Sequence, residues 1–261
     1  MRVIKMTLAY DGTAYCGWQV QANGRTLQET VESALTKVTG TPVRVLASGR
    51  TDAGVHALGQ VIGFETDSPL SCTVLRRAVQ NHLPPDVAVL EAVPARDTFH
   101  PIRDAKTKRY RYVLSDAEIH DVFSRRYCWQ YPSPLCTVAM SRAAEMLVGK
   151  HNFASFQSTG APRASTIRTI SELSVKRREN RDRGAIWIEV EADGFLYNMV
   201  RAIVGTLTEI GRGGQREAWC GEALAACDRS QAGPTAPPQG LFLVSVDYGT
   251  GSKSDTDPIT R

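Results

Sequence analysis

The sequence predicts an α+β protein of two domains, whose strands form a mostly antiparallel mixed sheet with helices on one face. Several segments alternate apolar and polar residues with the period of a strand, and others carry apolar stripes with the period of a helix. The first six segments follow the order strand, helix, strand, strand, helix, strand, which is that of a ferredoxin-like unit. The pattern restarts beyond Pro94. We therefore expect a ferredoxin-like domain in residues 1–95, an α+β domain in 96–248 and a disordered tail in 249–261.

The first strand and the first helix have the clearest local signals. Met6, Leu8 and Tyr10 alternate with less apolar residues, as in a half-buried strand. The segment 26–29 (TLQE) has the spacing of a capping box, and the apolar stripe that follows it stops at Gly40. These signals predict a helix over about 27–38.

Four more segments complete the first domain. Apolar alternation and turn residues predict strands at 43–47, 60–64 and 87–93 and a helix at 71–80. A sheet of this type has one face covered by helices, so we expect the other face to be open to a ligand.

The second domain is predicted from the same two periodicities. Its expected strands are 108–114, 169–176, 185–191 and 241–248. Its expected helices are 137–148, 197–210 and 215–227. The residues after 248 have almost no apolar side chains to bury, which indicates disorder.

Composition narrows the class of protein without choosing a function. The 261 residues are 42% hydrophobic, enough for a sizeable core, and the net charge of +4 is too small to indicate nucleic-acid binding by itself. No apolar run approaches the ~18 residues of a membrane span. The six cysteines form no CxxC pair or zinc-ligand cluster, and the first ten residues lack a signal-peptide core. We expect reduced thiols, no bound metal and a cytoplasmic location.

An acid and a base lie two positions apart in the glycine-bounded loop GRTDAGVHA. The flanking glycines would let the backbone approach a ligand closely beside Arg50 and Asp52. The same pattern fits a turn in which Asp52 caps local N–H groups and Arg50 faces solvent. His56 likewise fits a structural role or a binding role, so the loop alone leaves both interpretations open.

The strand KTKRYRY interleaves cations with aromatic rings. Alternation places Tyr110 and Tyr112 on one face and Arg109 and Arg111 on the other, with Lys108 just before them. Such a strand suits a phosphate backbone and an unstacked base. It equally fits a tyrosine core face and a solvated basic face.

The loop YDGTAYCGWQ after the first strand carries three aromatic residues. Rings on a loop can stack on bases or seal a core, and Tyr10, Tyr15 and Trp18 fit both.

Arg201 lies in a strongly apolar helical segment, FLYNMVRAIVG. An unpaired buried guanidinium is too costly, so this side chain must reach solvent or pair with an acid. If it pairs with a carboxylate from the other domain, Asp52 is the natural candidate.

Four separated segments, YDGTAYCGWQ, GRTDAGVHALGQV, KRYRYVL and FLYNMVRAIVG, together resemble the tRNA pseudouridine synthase A family. Between them lie further matching residues, NHLP, HNF with SF, and APP with GL. The resemblance covers nearly the whole chain except the tail. It implies the pseudouridine synthase fold, with two ferredoxin-like (RRM-like) domains.

The resemblance also implies a function and its residues. The family isomerises uridine to pseudouridine in the anticodon stem-loop of tRNA, at positions 38, 39 and 40, without a cofactor and as a homodimer. Its catalytic aspartate falls on Asp52, its base-stacking tyrosine on Tyr110 and its aspartate-pairing arginine on Arg201. Arg50 matches an arginine implicated in opening the target base pair. Further expected contacts to the tRNA come from Lys108, Arg109, Arg111 and His56.

The alternative is a non-catalytic RNA-binding protein or tRNA chaperone that keeps the fold and the basic strand. A pure binder has no need for Asp52 together with Arg50 and Arg201, so these residues favour the enzyme.

Overall fold

The computed structural model describes residues 1–158, 160, 165–178 and 184–249. The chain divides into two compact units, one formed by Met1–Lys106 with the chain from Leu243 onward and one formed by Thr107–Phe242. The domain boundaries expected at 95 and 248 stay a prediction. The tail expected to be disordered falls, from residue 250 on, outside the described residues.

The described elements are strands and helices in a mixed order, as the sequence predicts. In chain order they are β1 (Arg2–Tyr10), α1 (Leu27–Thr39), β2 (Leu46–Ala47), β3 (His56–Thr66), α2 (Cys72–Gln80), β4 (Val87–Pro94), β5 (Thr107–Ser115), β6 (Trp129–Gln130), α3 (Thr137–Glu145), β7 (Gly149–Asn152), β8 (Ile167–Arg177), β9 (Ala185–Ala192), α4 (Met199–Gly211), α5 (Trp219–Ala226) and β10 (Leu241–Asp247).

The first unit has the topology of a split βαβ pair. Strand β1 pairs antiparallel with both β3 and β4, and β2 pairs antiparallel with β3, which gives the order β4-β1-β3-β2. In the sheet order β10 also lies next to β3. Helices α1 and α2 pack against each other. The predicted order of elements and the mostly antiparallel pairing are confirmed for this unit.

Helix α1 shows how the local sequence sets its ends. The hydroxyl of Thr26 accepts a hydrogen bond from the N–H of Glu29 at 3.4 Å. At the other end Gly40 adopts the left-handed conformation with φ of 75°, and its N–H bonds to the carbonyl of Thr36. Leu27 and other apolar residues of the helix are buried. The capped helix predicted from TLQE and Gly40 is confirmed.

Strand β2 is shorter than the predicted strand 43–47 because side chains of α1 bind the N–H groups of residues 43 and 45. The N–H of Val45 donates to the carboxylate of Glu32 at 3.0 Å, and the N–H of Val43 donates to the hydroxyl of Thr36 at 3.4 Å. These donors are therefore unavailable for pairing with another strand.

The sheet face expected to be open in the first unit is partly covered. Lys5 and Gly63 are paired on the face opposite that of the fully buried Met6. A Cβ at Gly63 would lie 2.9 Å from Pro101, and the Tyr248 hydroxyl donates to the Pro101 carbonyl at 2.9 Å. The prediction of a free face is wrong at this place, because the chain after β4 folds back over it.

The second unit is built on a separate set of strand pairs. Strand β9 pairs antiparallel with β5 and β8, β8 pairs antiparallel with β7, and β6 runs parallel to β5. Helix α3 packs against β8 and α4. Strands β6 and β7 were not predicted, since two and four residues are too short to show a period.

Helix α5 begins at Trp219, four residues later than the sequence predicts. The N–H groups of Gly214 and Gln215 both bond to the carbonyl of Glu209, so this segment completes the end of α4 instead of starting a new helix. Among the described residues no helix is long and apolar enough to cross a membrane.

Replacement of Gly40 by alanine should destabilise the protein by about 1 kcal/mol, because a Cβ is disfavoured in the left-handed conformation. A Cβ there would meet nothing within 4 Å, so steric clash does not contribute. Gly40→Asn is the matched control and should lose less, since asparagine tolerates this conformation. The free energies of unfolding are measured by urea titration. Equal values for the parent protein, Gly40→Ala and Gly40→Asn would contradict this account of the helix end.

Candidate active site

Asp52 lies in the loop that joins β2 to β3. Its side chain is half-buried, whereas Thr51 before it and Val55 after it are buried. The carbonyl of Asp52 accepts from the N–H of Val55 at 3.1 Å, and that of Thr51 accepts from the N–H of Trp18 at 3.0 Å. The carboxylate is therefore carried by a backbone that is fixed on both sides.

The loop after β1 braces the Asp52 loop through direct backbone contact. A Cβ at Gly12 would lie 2.0 Å from the carbonyl oxygen of Val55. At Gly17, where φ is 90°, it would lie 2.8 Å from the carbonyl oxygen of Thr51. Only glycine fits both places without movement of the backbone. The segment YDGTAYCGWQ thus packs against GRTDAGVHA and holds its backbone in place.

The three aromatic residues of the loop after β1 are buried. The hydroxyls of Tyr10 and Thr51 lie 2.9 Å apart, and the Tyr15 hydroxyl donates to Asp86 at 2.7 Å. Burial raises the pKa of Tyr10 to about 12, so its hydroxyl stays protonated. Of the two interpretations left open for Tyr10, Tyr15 and Trp18, the structure favours the sealing of a core.

Arg50 and His56 occupy contrasting environments at the two ends of the Asp52 loop. Arg50 is exposed, as expected of a residue that contacts a large ligand. The His56 side chain is only 2% exposed, and its Nδ1 lies 3.1 Å from the N–H of Gly12 and 3.2 Å from the Asp11 carboxylate. This ring has almost no surface to offer a ligand, so the geometry favours a structural role. Contact of His56 with RNA stays a prediction.

Arg201 lies in the first turn of α4, half-buried in the second unit. Its Nε donates to the carbonyl of Ala236 at 2.7 Å, and its Nη1 donates to Oδ1 of Asn198 at 2.7 Å. The backbone adds a further bond, from the N–H of Ala236 to the carbonyl of Arg201. These contacts to carbonyl and amide oxygens fix the orientation of the guanidinium.

The tyrosine face of β5 points into the second unit, as the alternation predicts. The Tyr112 side chain is fully buried and its hydroxyl donates to the carbonyl of Pro237 at 2.8 Å. Burial raises the pKa of Tyr112, and the charge of Arg201 opposes that shift. Tyr110 is packed edge-on against Phe195, with ring centroids 4.9 Å apart. The segment APP therefore accepts hydrogen bonds from both Tyr112, at Pro237, and Arg201, at Ala236.

The two arginines of β5 lie on its other face among carboxylates. Arg109 binds Glu191 and Glu172, with Nη2 distances of 2.9 and 2.6 Å. Arg111 is buried, 2.8 Å from Glu189, and its guanidinium stacks 3.8 Å above the ring centre of Trp187. The opposite placement of tyrosines and arginines is confirmed. Contact of Lys108, Arg109 and Arg111 with RNA stays a prediction.

The sequence pattern does not distinguish Asn198, whose side chain contacts Arg201 in the structure. The residue precedes α4 in the left-handed conformation, with φ of 59°. An asparagine three residues before the arginine was the available signal, but it also fits an ordinary helix cap. Within the described ranges, no group of three or more histidines, cysteines or acids is placed to hold a metal ion.

Comparison with known proteins gives consistent matches along the chain. A family described as tRNA pseudouridine synthase matches residues 6–103 and 143–249. Asp52 and Arg201 lie within these ranges, whereas Tyr110 lies between them.

Curated relatives match over nearly the full length of both chains. A tRNA pseudouridine synthase A of Moorella thermoacetica is 46% identical over 250 residues, 95% of this chain and all of that protein. That of Thermoanaerobacter sp. (strain X514) is 43% identical over 248 residues, with the same coverage. That of Myxococcus xanthus is 42% identical over 253 residues, 97% of this chain and 94% of that protein.

Proposed function

Since this chain belongs to the tRNA pseudouridine synthase family, a family of isomerases, we propose that it converts uridine to pseudouridine in the anticodon stem-loop of tRNA with Asp52 as the catalytic group. The target positions are 38, 39 and 40, as the resemblance implies. One observation carries the assignment of Asp52: its side chain is half-buried on a loop in which Thr51 and Val55 are buried and hydrogen-bonded through their backbones.

The reaction is an internal rearrangement. The bond from C1′ to N1 breaks, the uracil turns, and C5 bonds to C1′ while the proton on C5 is lost and N1 gains one. No electron or group enters or leaves, so the reaction has no net oxidation or group transfer and a carboxylate can serve as its catalytic group. Asp52 acts either as a nucleophile at C1′ or as a base at C2′ that yields a glycal intermediate.

A fixed carboxylate favours this chemistry because the target base must leave the helical stack before C1′ is accessible. The backbone bonds of Thr51 and Val55 position the loop before substrate arrives, so little ordering remains for the moment of reaction. In this proposal Arg50, which is exposed, helps to open the target base pair. Tyr110 supplies a ring on which the extruded uracil lies.

Arg201 has the second role in the proposal. Its guanidinium pairs with Asp52 in the active enzyme, which favours the anionic carboxylate and fixes its orientation. The contacts of Arg201 to Ala236 and Asn198 support this role, since they orient the guanidinium.

Asp52→Asn should abolish pseudouridine formation, by roughly 1,000-fold or more, because the amide has almost the same shape but is neither a nucleophile nor a base. Asp97→Asn, at another exposed acid of the same unit, is the control and should retain activity. The assay maps pseudouridine to the nucleotide on an unmodified tRNA transcript, with no cofactor added. Activity of Asp52→Asn would exclude Asp52 as the catalytic group. No product from the parent protein or from Asp52→Asn, despite tight tRNA binding, would favour a binding protein or chaperone.

Arg201→Lys should lower kcat by about 100-fold with little change in the Kd for tRNA, because lysine keeps the charge but loses the two-point geometry. Arg216→Lys is the control, since Arg216 is exposed and pairs across the surface with Glu222. Single-turnover rates and filter binding separate the two effects. Near-normal turnover by Arg201→Lys would contradict the pairing role.

We further propose a homodimer, in which one subunit helps to grip the tRNA that the other modifies. Light scattering after size exclusion should give a mass near twice the 28.6 kDa of one chain. A mass of one chain across a range of micromolar concentrations would contradict the dimer.

A further inference from the structure

Helix α4 starts in an unusual way. Its cap residue Asn198 has φ of 59° and ψ of 9°, the left-handed conformation, whereas a helix cap is ordinarily extended. Among the described residues outside glycine, only Cys227 shares a positive φ. The Asn198 side chain makes no capping bond to α4, although asparagine is among the residues best suited to do so. The residue therefore gives up local stability at this end of the helix.

The side chain of Asn198 instead bridges two groups that are far apart in sequence. Its Oδ1 accepts from Nη1 of Arg201 at 2.7 Å, and its Nδ2 donates to the hydroxyl of Ser158 at 3.0 Å. A guanidinium has only donors, so the amide oxygen must face Arg201 and the amide nitrogen must face Ser158. The orientation of the amide is thereby fixed.

Ser158 is itself tied to the start of α4. Its N–H donates to the carbonyl of Tyr197 at 3.1 Å, directly before Asn198 in the chain. The hydroxyl and the N–H of Ser158 thus bind two consecutive residues. This arrangement holds the Asn198 side chain on the side of the helix where Arg201 emerges.

Arg201 is consequently fixed at two different nitrogens by two different segments. Asn198 binds Nη1, and the carbonyl of Ala236 binds Nε. Two contacts at separate corners of a planar group determine the direction of its plane. The loss of the Asn198 contact would remove one of these two constraints on the guanidinium.

We propose that Asn198 is a positioning residue for the isomerisation, which acts by holding the guanidinium of Arg201 in the plane that Asp52 requires. This inference rests on the proposed role of Arg201. It explains why the helix start combines a disfavoured backbone conformation with a side chain that does not cap the helix.

Asn198→Gly is the informative variant, because glycine adopts the left-handed conformation freely and only the amide is lost. Cys227→Gly is the matched control, since it makes the same type of change at the end of α5. Single-turnover rates and tRNA binding are measured for each variant alone and for Asn198→Gly combined with Arg201→Ala. Thermal unfolding checks that all variants fold.

We expect Asn198→Gly to lower kcat by about 10- to 100-fold, with the Kd for tRNA and the melting temperature close to those of the parent. In the Arg201→Ala background it should have almost no further effect, because the group that it positions is absent. Cys227→Gly should turn over normally. Normal turnover by Asn198→Gly, or an undiminished loss in the Arg201→Ala background, would overturn the proposal.

A measurement without tRNA separates this proposal from the proposed function. The Nε–H signal of Arg201, assigned by its loss in Arg201→Lys, should exchange with water about 10-fold faster in Asn198→Gly than in the parent. Unchanged exchange would overturn the positioning role even if Arg201 is essential. Faster exchange together with full activity of Arg201→Lys would instead show that Asn198 orients Arg201 but that the pairing with Asp52 is wrong.

Discussion

The backbone of the loop after β1 touches the backbone of the loop that carries Asp52, and no side chain fits between the two. Gly12 lies against Val55 and Gly17 lies against Thr51 so closely that any Cβ would require the chain to move. The hydrogen bond from Trp18 to Thr51 adds a fixed distance between the loops. A surface loop that ordinarily fluctuates is thereby made part of the core of the first unit. Thr51 and Val55, which are buried before and after Asp52, fix the backbone that carries its half-exposed side chain.

The second unit contains two solutions to the problem of placing arginine in an apolar setting. Arg109 and Arg111 lie among the carboxylates of Glu172, Glu189 and Glu191, so most of their charge is neutralised locally and they hold β5 to its neighbours. Arg201 bonds through Nε and Nη1 to a carbonyl oxygen and an amide oxygen. These acceptors compensate part of the hydration that the guanidinium loses on burial.

The sequence predicts the helices and the long strands well because each has its own period and its own ends. Helix α1 is the clearest case, since Thr26 and Gly40 act within one turn of its ends. The errors come from contacts between distant segments. Strand β2 is shortened by Glu32 of α1, α5 starts late because Gln215 bonds back to Glu209, and the supposedly open sheet face is covered by Pro101. Periodicity carries no information about such contacts.

In the candidate site, too, local sequence patterns were informative and contacts between distant segments could not be predicted. Motifs single out Asp52 and Arg201 as candidates, yet spacing alone could not tell that Tyr10, Tyr15 and Trp18 are core or that His56 is buried. Asn198 was missed because its local pattern is that of an ordinary cap, and only its backbone angle and its partners distinguish it. A residue that leaves its helix end uncapped while its side chain bonds elsewhere contributes to something other than the capping of that helix. In this chain the side chain of Asn198 bonds to the distant Ser158 and to Arg201, so the left-handed conformation at the start of α4 accompanies the orientation of the guanidinium.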